Sequence, residues 1–483
     1  MTQVAPTSPG GAPLPTPWTS KRASQIAWAV EWDILVSARP IGTSLGSESD
    51  LATQYSVSRT VFREAVRILE HRRVAVMRMG PGGGLTVCEP DLATSTSEVE
   101  IYLSYAGATL DHILETRQVI EPLAAALAAD SGTEEAMADL RAALEAETAW
   151  DVAAKTGRAQ ENLMAAVAAA SGNAAVILFT EVLSRLTARY AFYPGDVDGS
   201  STALFGSAQQ IEMGHTSVVA AITSGDPGAA GFRQQRHLDA LTSLLTPAEA
   251  PGPLHAEAGS KTAERTAAAI AATIAKHGWP VGKVLGSEPA LLAELDVSRA
   301  VLREAVRILE HHRIAGMRRG RGGGLVVARP DRRACIDALA LLLPTERLSL
   351  RSLYAARRAV ELRIVDLAAA RITDDPNLAE LLSTSLEQER ALHSVGRDAF
   401  SCDLHAVLAS LCGNPVLALL SSVLSEVWAR TVDLHDPTFD WCGASDAVVG
   451  VHAKIASALA GGERDLARRR MAKHLDALSF WWS

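Results

Sequence analysis

Aromatic side chains are scarce in this chain: Phe, Trp and Tyr make up 5% of 483 residues, against a hydrophobic share of 48%. The interior is therefore left to Ala, Leu and Val. Stretches such as EPLAAALAAD (121–130) and VDLAAAR (365–371) favour helix over strand by intrinsic propensity. Cysteine is scarcer still. The five thiols, Cys88, Cys335, Cys402, Cys412 and Cys442, are odd in number and form no CxxC pair. That excludes a disulfide framework and the usual metal or redox spacings, and it fits a reduced, cytoplasmic protein. No run approaches the roughly 18 consecutive apolar residues of a membrane-spanning helix. The opening MTQVAPTSPGGAPLPTPWTS lacks a basic stretch followed by an apolar one, so residues 1–19 read as a disordered Pro/Gly leader rather than a secretory signal. Neither a nucleophile elbow nor a phosphate-binding loop occurs, so no motif places a reaction centre.

What is present is a repeat. Residues 47–91 read SESDLATQYSVSRTVFREAVRILEHRRVAVMRMGPGGGLTVCEPD, and residues 287–331 read SEPALLAELDVSRAVLREAVRILEHHRIAGMRRGRGGGLVVARPD. The offset is 240 residues without a gap, and 28 of 45 positions are identical. So long a period means a duplicated two-domain unit rather than a solenoid. The division that follows is a leader (1–19), a first head (20–91), a first body (97–245), a Pro/Ala/Gly linker TPAEAPGPLHAEAGS (246–260), a second head (261–331) and a second body (332–483). Charge separates the parts. Of the net −9, residues 20–91 carry +1 and residues 260–331 carry +5, which leaves −15 on the remainder. Relatively basic heads on acidic bodies suit a protein that meets nucleic acid with one part only.

Each head reads as helix, helix, turn, helix and a short hairpin. Ser47 and Ser287 are N-caps for the middle helix, with Asp50 adding a box-like SxxD in the first copy where the second has Ala290. The third helix opens at Ser58 or Ser298, with Val57 and Phe62, or Val297 and Leu302, as a hydrophobic staple. VAVMRMGPGGGLTV and IAGMRRGRGGGLVV then read as two strands around a glycine-rich tip, a wing. Both bodies show apolar residues recurring at three and four, with breaks at Gly172-Asn173 and Gly413-Asn414-Pro415, and read as helical throughout. The fold class expected is mainly α: two winged helix-turn-helix heads and two all-helical bundles.

On the third helix Arg59, Arg63 and Arg67 fall on one stripe, opposite Phe62, Val66 and Leu69. Arg299, Arg303 and Arg307 repeat it against Leu302, Val306 and Leu309. A helix fixed to a core on one side and studded with Arg on the other fits the major groove, where Arg pairs with guanine O6 and N7. Ser58, Ser298 and the helix N-termini are placed for phosphate contact. A solvated face with Glu64 and Glu70 as ion-pair partners is the bland alternative for one such helix; its repetition beside a basic wing argues for DNA.

VSRTVFREAVRILE and VSRAVLREAVRILE, followed by the MRRGRGGG wing, resemble the winged helix-turn-helix head of the GntR family of bacterial transcription regulators, over about 70 residues per copy. The resemblance implies DNA contacts from Arg59 and Arg63, from Arg299 and Arg303, and from the wings at Arg78 to Gly82 and Arg318 to Gly322. Where the family carries Arg in its SEREL segment this chain has Ser49 and Pro289, so one implied contact is missing in both heads. The bodies resemble the all-helical ligand-binding FCD domain of the FadR branch, through TRQVIEPLAAALAA and ARRAVELRIVDLAAA, AAASGNAAV and LASLCGNPVL, and GHTSVVAAITSGDPGAAGFRQQRHL and VHAKIASALAGGERDLARRRMAKHL.

Many domains of that branch bind a divalent metal through Asp-x3-His and two later His. The second body keeps His405, His452 and His474, with Ser401 in place of the Asp; the first keeps His215 and His237, with Gln160 and Met164 in place of the Asp and first His. Both later pairs lie 22 residues apart, so the register is sound. Three imidazoles can hold a Zn-like ion with positions left for a ligand carboxylate or water, or they can be hydrogen-bonded remnants of a pocket. Two imidazoles with a thioether and an amide make a poor site for such an ion. Arg117 and Arg357, one turn before Glu121 and Glu361, either pair with those acids or orient an acidic effector.

The expectation is a DNA-binding transcriptional regulator, a repressor released by a small metabolite. A fused chain can read both half-sites of an imperfect palindrome as a covalent pseudo-dimer, with further homodimerisation left open. Its heads differ: Arg319 and Arg321 face Met79 and Pro81 of the first wing, and Thr60 faces Ala300. The second head is therefore expected to hold phosphate more strongly. Two rivals stand beside this reading: an interaction protein with degenerate heads, and a metal-dependent enzyme built on the histidine cluster. The tail residues Trp481 and Trp482 are either an interface anchor or core.

Overall fold

A computed structural model describes residues 22–36, 39–71, 74–78, 80, 83–88, 92–148, 158–192, 201–247, 254, 261–318, 320, 322–343, 350–393, 404–435 and 441–480. In the first half the order is α1 (Arg22–Val36), β1 (Ser44–Gly46), α2 (Glu48–Gln54), α3 (Arg59–His71), β2 (Ala75–Arg78), β3 (Gly84–Val87), α4 (Leu92–Tyr105), α5 (Leu110–Ser131), α6 (Glu134–Thr148), α7 (Arg158–Ala170), α8 (Ala174–Tyr190), β4 (Ala191–Phe192), α9 (Ser201–Thr223), α10 (Pro227–Leu244) and β5 (Thr246–Pro247). The second half repeats it with α11 (Thr262–Lys276), β6 (Val284–Gly286), α12 (Glu288–Leu295), α13 (Arg299–His311), β7 (Ala315–Arg318), β8 (Gly324–Val327), α14 (Arg332–Leu341), α15 (Leu350–Asp374), α16 (Leu378–His393), α17 (Leu404–Leu411), α18 (Pro415–His435), α19 (Trp441–Ala460) and α20 (Arg464–Phe480).

Local chemistry explains where the head helices begin. Ser47 and Ser287 cap α2 and α12, and Ser298 caps α13 by accepting from the Val301 N–H at 3.3 Å. Ser58 does the same for α3 toward the Val61 N–H at 3.3 Å. The tight turn ahead of the third helix passes through a left-handed residue in both copies, Ser56 at φ 52° and Asp296 at φ 50°. The wings pair as antiparallel hairpins, Ala75 with Val87 through Arg78 with Gly84, and Ala315 with Val327 through Arg318 with Gly324. A third strand, which alternation could not reveal in three residues, joins each one to give the orders β1-β3-β2 and β6-β8-β7. Its approach demands glycine opposite: a Cβ on Gly84 would lie 2.5 Å from the Gly46 carbonyl oxygen, and one on Gly324 2.3 Å from that of Gly286.

Among the described residues the bodies are helical apart from the two-residue pairing of β4 with β5, and the apolar faces of both halves merge into one continuous core. Their junction is reciprocal. The Asn173 side-chain oxygen caps α8 while its amide nitrogen donates to the Ser352 carbonyl at 2.8 Å; Asn414 caps α18 and donates to the His112 carbonyl at 2.9 Å. Ser352 and His112 occupy matching places in α15 and α5, so each half offers the other the same donor and acceptor, as an isologous interface requires. The symmetry is broken at Glu115, which accepts from Asn414 at 2.8 Å and from Arg363 at 2.7 Å, and whose counterpart is Ala355.

The helices that leave the heads cross over. From α14 in the second half, Leu341 is buried in the core of the first head with Phe62, Leu69 and Leu85. From α4 in the first half, Ile101 is buried in the core of the second head with Leu302, Leu309 and Leu325, and Tyr105 meets Trp279 edge-on at 5.9 Å. The two helices also touch, the Cys335 thiol donating to the Glu98 carbonyl at 3.4 Å. Each stays tied to its own body, α4 through Glu100 to Arg189 at 3.5 Å and α14 through Arg333 to Glu426 at 2.7 Å.

Candidate nucleic-acid interface and metal centre

In each head α3 or α13 buries one face and presents the other. Phe62, Val66 and Leu69, and in the second copy Leu302, Val306 and Leu309, are buried. Ser58, Arg59, Thr60, Arg63, Arg67 and Arg78 are exposed, as are Ser298, Arg299, Arg303, Arg307, Arg318 and Gly322. Gly82, Arg319 and Arg321, with Met79 and Pro81, lie outside the described residues. Arg318 is turned back across its wing, donating to the Gly322 carbonyl at 3.1 Å, where Gly322 takes φ 75°. Three stripe arginines rest on surface acids: Arg63 on Glu48 at 2.9 Å, Arg299 on Glu288 at 3.2 Å and Arg307 on Glu304 at 3.0 Å. Such exposed pairs are worth about 0–1 kcal/mol each, so a phosphate or base edge can displace them.

Glu70 does not serve the stripe. Its carboxylate accepts from the Met77 N–H at 3.0 Å, and Glu310 accepts from the Met317 N–H at 2.9 Å. This acid at the end of each third helix therefore fixes the wing strand to the helix. Sequence reading placed it among ion-pair partners because spacing alone does not distinguish a side chain from a backbone partner.

The second body gathers His405 from α17, His452 from α19 and His474 from α20 into one buried cluster, with a ligand atom of each within 4.8 Å of the others. His474 Nε2 lies 3.2 Å from His405 Nε2 and 3.1 Å from His452 Nε2. His405 is oriented from behind: its Nδ1 bonds the Glu361 carboxylate, which leaves Nε2 facing the cluster. Glu361 is held by Arg357 at 2.5 Å, and Arg357 lies over the Trp428 ring at 5.0 Å. Burial alone would raise the Glu361 carboxyl, but the Arg357 guanidinium and the His405 imidazole hold it well below the usual carboxylate range. Burial, then the neighbouring His405 and His452, push His474 down to about 2, so the ring is neutral. Three convergent imidazole nitrogens, one locked by a carboxylate, could hold a metal ion, with a carboxylate oriented behind one of them. Ser401 lies outside the described residues.

The first body builds the same frame with other side chains. Arg117 bonds Glu121 at 2.5 Å, both buried, and its second nitrogen reaches the Thr187 hydroxyl at 3.2 Å, where the other body has Trp428. Glu121 receives its second hydrogen bond from Gln234 on α10 at 2.8 Å, and the Gln234 amide also lies 3.3 Å from Met164 Sδ. His215 and His237 stack at a tilt, ring centres 4.5 Å apart. Burial, then His215 and Arg117, push His237 down to about 2. With only two imidazoles this set does not fit the ion that suits the second body; the Gln160 side chain lies outside the described residues. Sequence reading singled out Arg117, Arg357 and the histidines but not Glu121 and Glu361 as supports, nor Gln234. Nothing in the spacing marks a glutamine on α10 as the partner of an acid on α5.

The FCD domain family matches residues 112–240 and again 352–477, and the family of bacterial regulatory proteins named gntR matches residues 262–324. The chain is 28% identical over 217 residues to an uncharacterized HTH-type transcriptional regulator of Mycobacterium tuberculosis, covering 45% of this chain and 86% of that protein. It is 26% identical over 232 residues to the Uxu operon regulator of Haemophilus influenzae, covering 45% of this chain and 80% of that one. A solved structure of a Streptococcus agalactiae GntR protein aligns at 22% identity over 46% of this chain and 99% of its own, with a TM-score of 0.33.

Proposed function

We propose, from the premise that this chain belongs to the FCD-domain family and carries a gntR-type head, that it is a transcriptional regulator reading two half-sites with one polypeptide. The families and relatives it matches are transcriptional regulators rather than enzymes, the head implies DNA binding, and the FCD domains imply a small-molecule effector. No described helix is long and apolar enough to cross a membrane. The finer reading is a FadR-branch repressor acting as a covalent pseudo-dimer, with winged heads in residues 20–91 and 261–331 on an imperfect palindrome. The observation that carries it is the reciprocal pair of bonds from Asn173 to Ser352 and from Asn414 to His112, which supports a pseudo-twofold axis within one chain.

In this reading Arg59, Arg63 and Arg67, and Arg299, Arg303 and Arg307, enter successive major grooves. Ser58, Ser298 and the wing residues Arg78, Gly82, Arg318, Arg319, Arg321 and Gly322 hold phosphates. Thr60, replaced by Ala300, makes the preferred half-sites unequal. In the second body His405, His452 and His474 would hold a divalent ion, which when bound supplies a Lewis-acid anchor for a carboxylate oxygen of the effector. Glu361 keeps His405 in the tautomer and orientation that present Nε2, and Arg357 keeps Glu361 ionised. Arg117 and Arg357 then orient those acids rather than touch the effector. The test is the mass of the complex with a single footprinted operator, by sedimentation across a salt series. One chain per operator, with affinity falling steeply with salt, is the expected result; two chains per operator would sink the pseudo-dimer.

A further inference from the structure

The two heads are seated differently on the rest of the chain. Among the described residues the core of the first head takes in one side chain from outside itself, Leu341 of α14. The second head takes three. Ile101 of α4 is buried in its core, and Tyr105 of α4 and Leu254 of the linker pack against that core. The centre of this seat is Trp279, buried at 4% exposure. Its indole Nε1 donates to the Ala328 carbonyl at 2.9 Å, and Tyr105 meets its ring edge-on at 5.9 Å.

Trp279 takes φ 54°, a left-handed conformation that a bulky residue keeps only where its surroundings hold it. Its backbone N–H donates to the Ile274 carbonyl at 3.0 Å, and the indole is fixed from both sides by Ala328 and Tyr105. The first head keeps the backbone bond, from Arg39 to Ile34 at 3.0 Å, but not the aromatic contact. Arg39 stands at the place of Trp279, is exposed, and rests on Asp33 at 3.9 Å. The place of Tyr105 falls to Thr345, which lies outside the described residues. Charge is unequal in the same sense, with +5 on residues 260–331 and +1 on residues 20–91.

A head already fixed in place loses little freedom on docking, so more of its contact energy appears as affinity. A loosely seated head must be ordered at that moment, and its contacts yield less. We propose, resting on the DNA-binding reading above, that the second head is the anchor of the chain on DNA and the first an adjustable arm. Trp279 and Tyr105 are the latch that fixes the anchor. The partner this arrangement fits is an operator with one strong half-site, held by the second head, beside a weaker one whose distance can vary by a base pair. The wing and stripe residues decide which bases each head prefers; the latch decides how much each half-site counts.

The experiment measures binding of the full chain to its footprinted operator and to the same duplex with one base pair inserted between the half-sites. Arg59→Ala with Arg63→Ala, and separately Arg299→Ala with Arg303→Ala, assign a half-site to each head by the protection each pair removes. The second pair is expected to cost about 30-fold in affinity and erase the whole footprint; the first should cost about threefold and erase its own half alone. The insertion should cost wild type no more than about threefold, with the second head's half-site still protected. Tyr105→Thr gives the second head the residue found at the matching place in the other half. It should bring the costs of the two arginine pairs together and speed amide exchange in α11 and α13. Tyr105→Phe keeps the ring and should behave as wild type, which separates the latch from a general folding defect. A difference between the pairs that survives Tyr105→Thr would overturn the latch. Equal costs in wild type, or an insertion as damaging as the loss of a half-site, would overturn the anchor while the regulator reading stands. No footprint from wild type would overturn that reading, and the anchor with it.

Discussion

Arg357, Glu361 and His405 form a relay of buried side chains in which each member is oriented by the one before it. Glu361→Gln keeps the shape but removes the charge that holds both neighbours. It is expected to lower Zn²⁺ affinity about 10–100-fold, the usual effect of losing an outer-shell partner, measured by calorimetric titration. Leaving Arg357 buried without its acid should also destabilise the chain by about 3–5 kcal/mol, visible as a lower midpoint in urea. At the head surface the opposite holds. Arg299 and Arg303 are exposed, so Arg299→Ala with Arg303→Ala should leave the unfolding midpoint unchanged. Operator affinity should fall about 30-fold or more, since each base-paired arginine contributes about 1–3 kcal/mol. Retained operator binding would remove the second head from the interface. Both arginine stripes could be read from the sequence because helical spacing alone puts them on one face. The roles of Gln234 and Glu70 could not: each depends on a partner on another element, and although the spacing showed Met164 at the place of His405, it did not mark Gln234, at the place of Met471, as the residue that bonds Glu121.

The elements begin where the capping serines stand, and this was legible: Ser47, Ser287 and Ser298 each sit one residue ahead of a helix. Strands β1 and β6 were not, because three residues are too few to alternate. Nor could any pattern in residues 92–105 or 332–341 tell which head these helices would pack on, since an amphipathic face specifies an apolar partner without naming it. The crossing carries its own test. Leu341→Ala should cost about 2–5 kcal/mol, as large-to-small changes in cores do. Its effect should appear far from residue 341, as faster amide exchange in α3 and β3 of the first head. Ile101→Ala should speed exchange in α13 and β8 of the second head. Loss of protection confined to each residue's own half would contradict the crossed packing.

At the scale of the whole molecule the linker joins halves that already share a core. A protease site engineered into residues 248–253 should, after cleavage, leave two fragments that elute as one species and dissociate only in denaturant; separate elution would show that the covalent bond, not the core, keeps them together. The repeat was plain from the 240-residue offset, yet the offset is silent on whether the two halves pack together or stand apart. That answer lies in Asn173 and Asn414, two helix caps that also bond the other half. The crossed helices have a bearing on inheritance as well. Each head borrows a hydrophobic side chain from the other copy, so neither unit can be lost without stranding its neighbour's interior. A single unit on its own would expose the apolar surface that the other now covers, and would need a second copy to cover it. The dependence is mutual but no longer symmetric, since the halves differ at Glu115, Met164 and Thr60, opposite Ala355, His405 and Ala300.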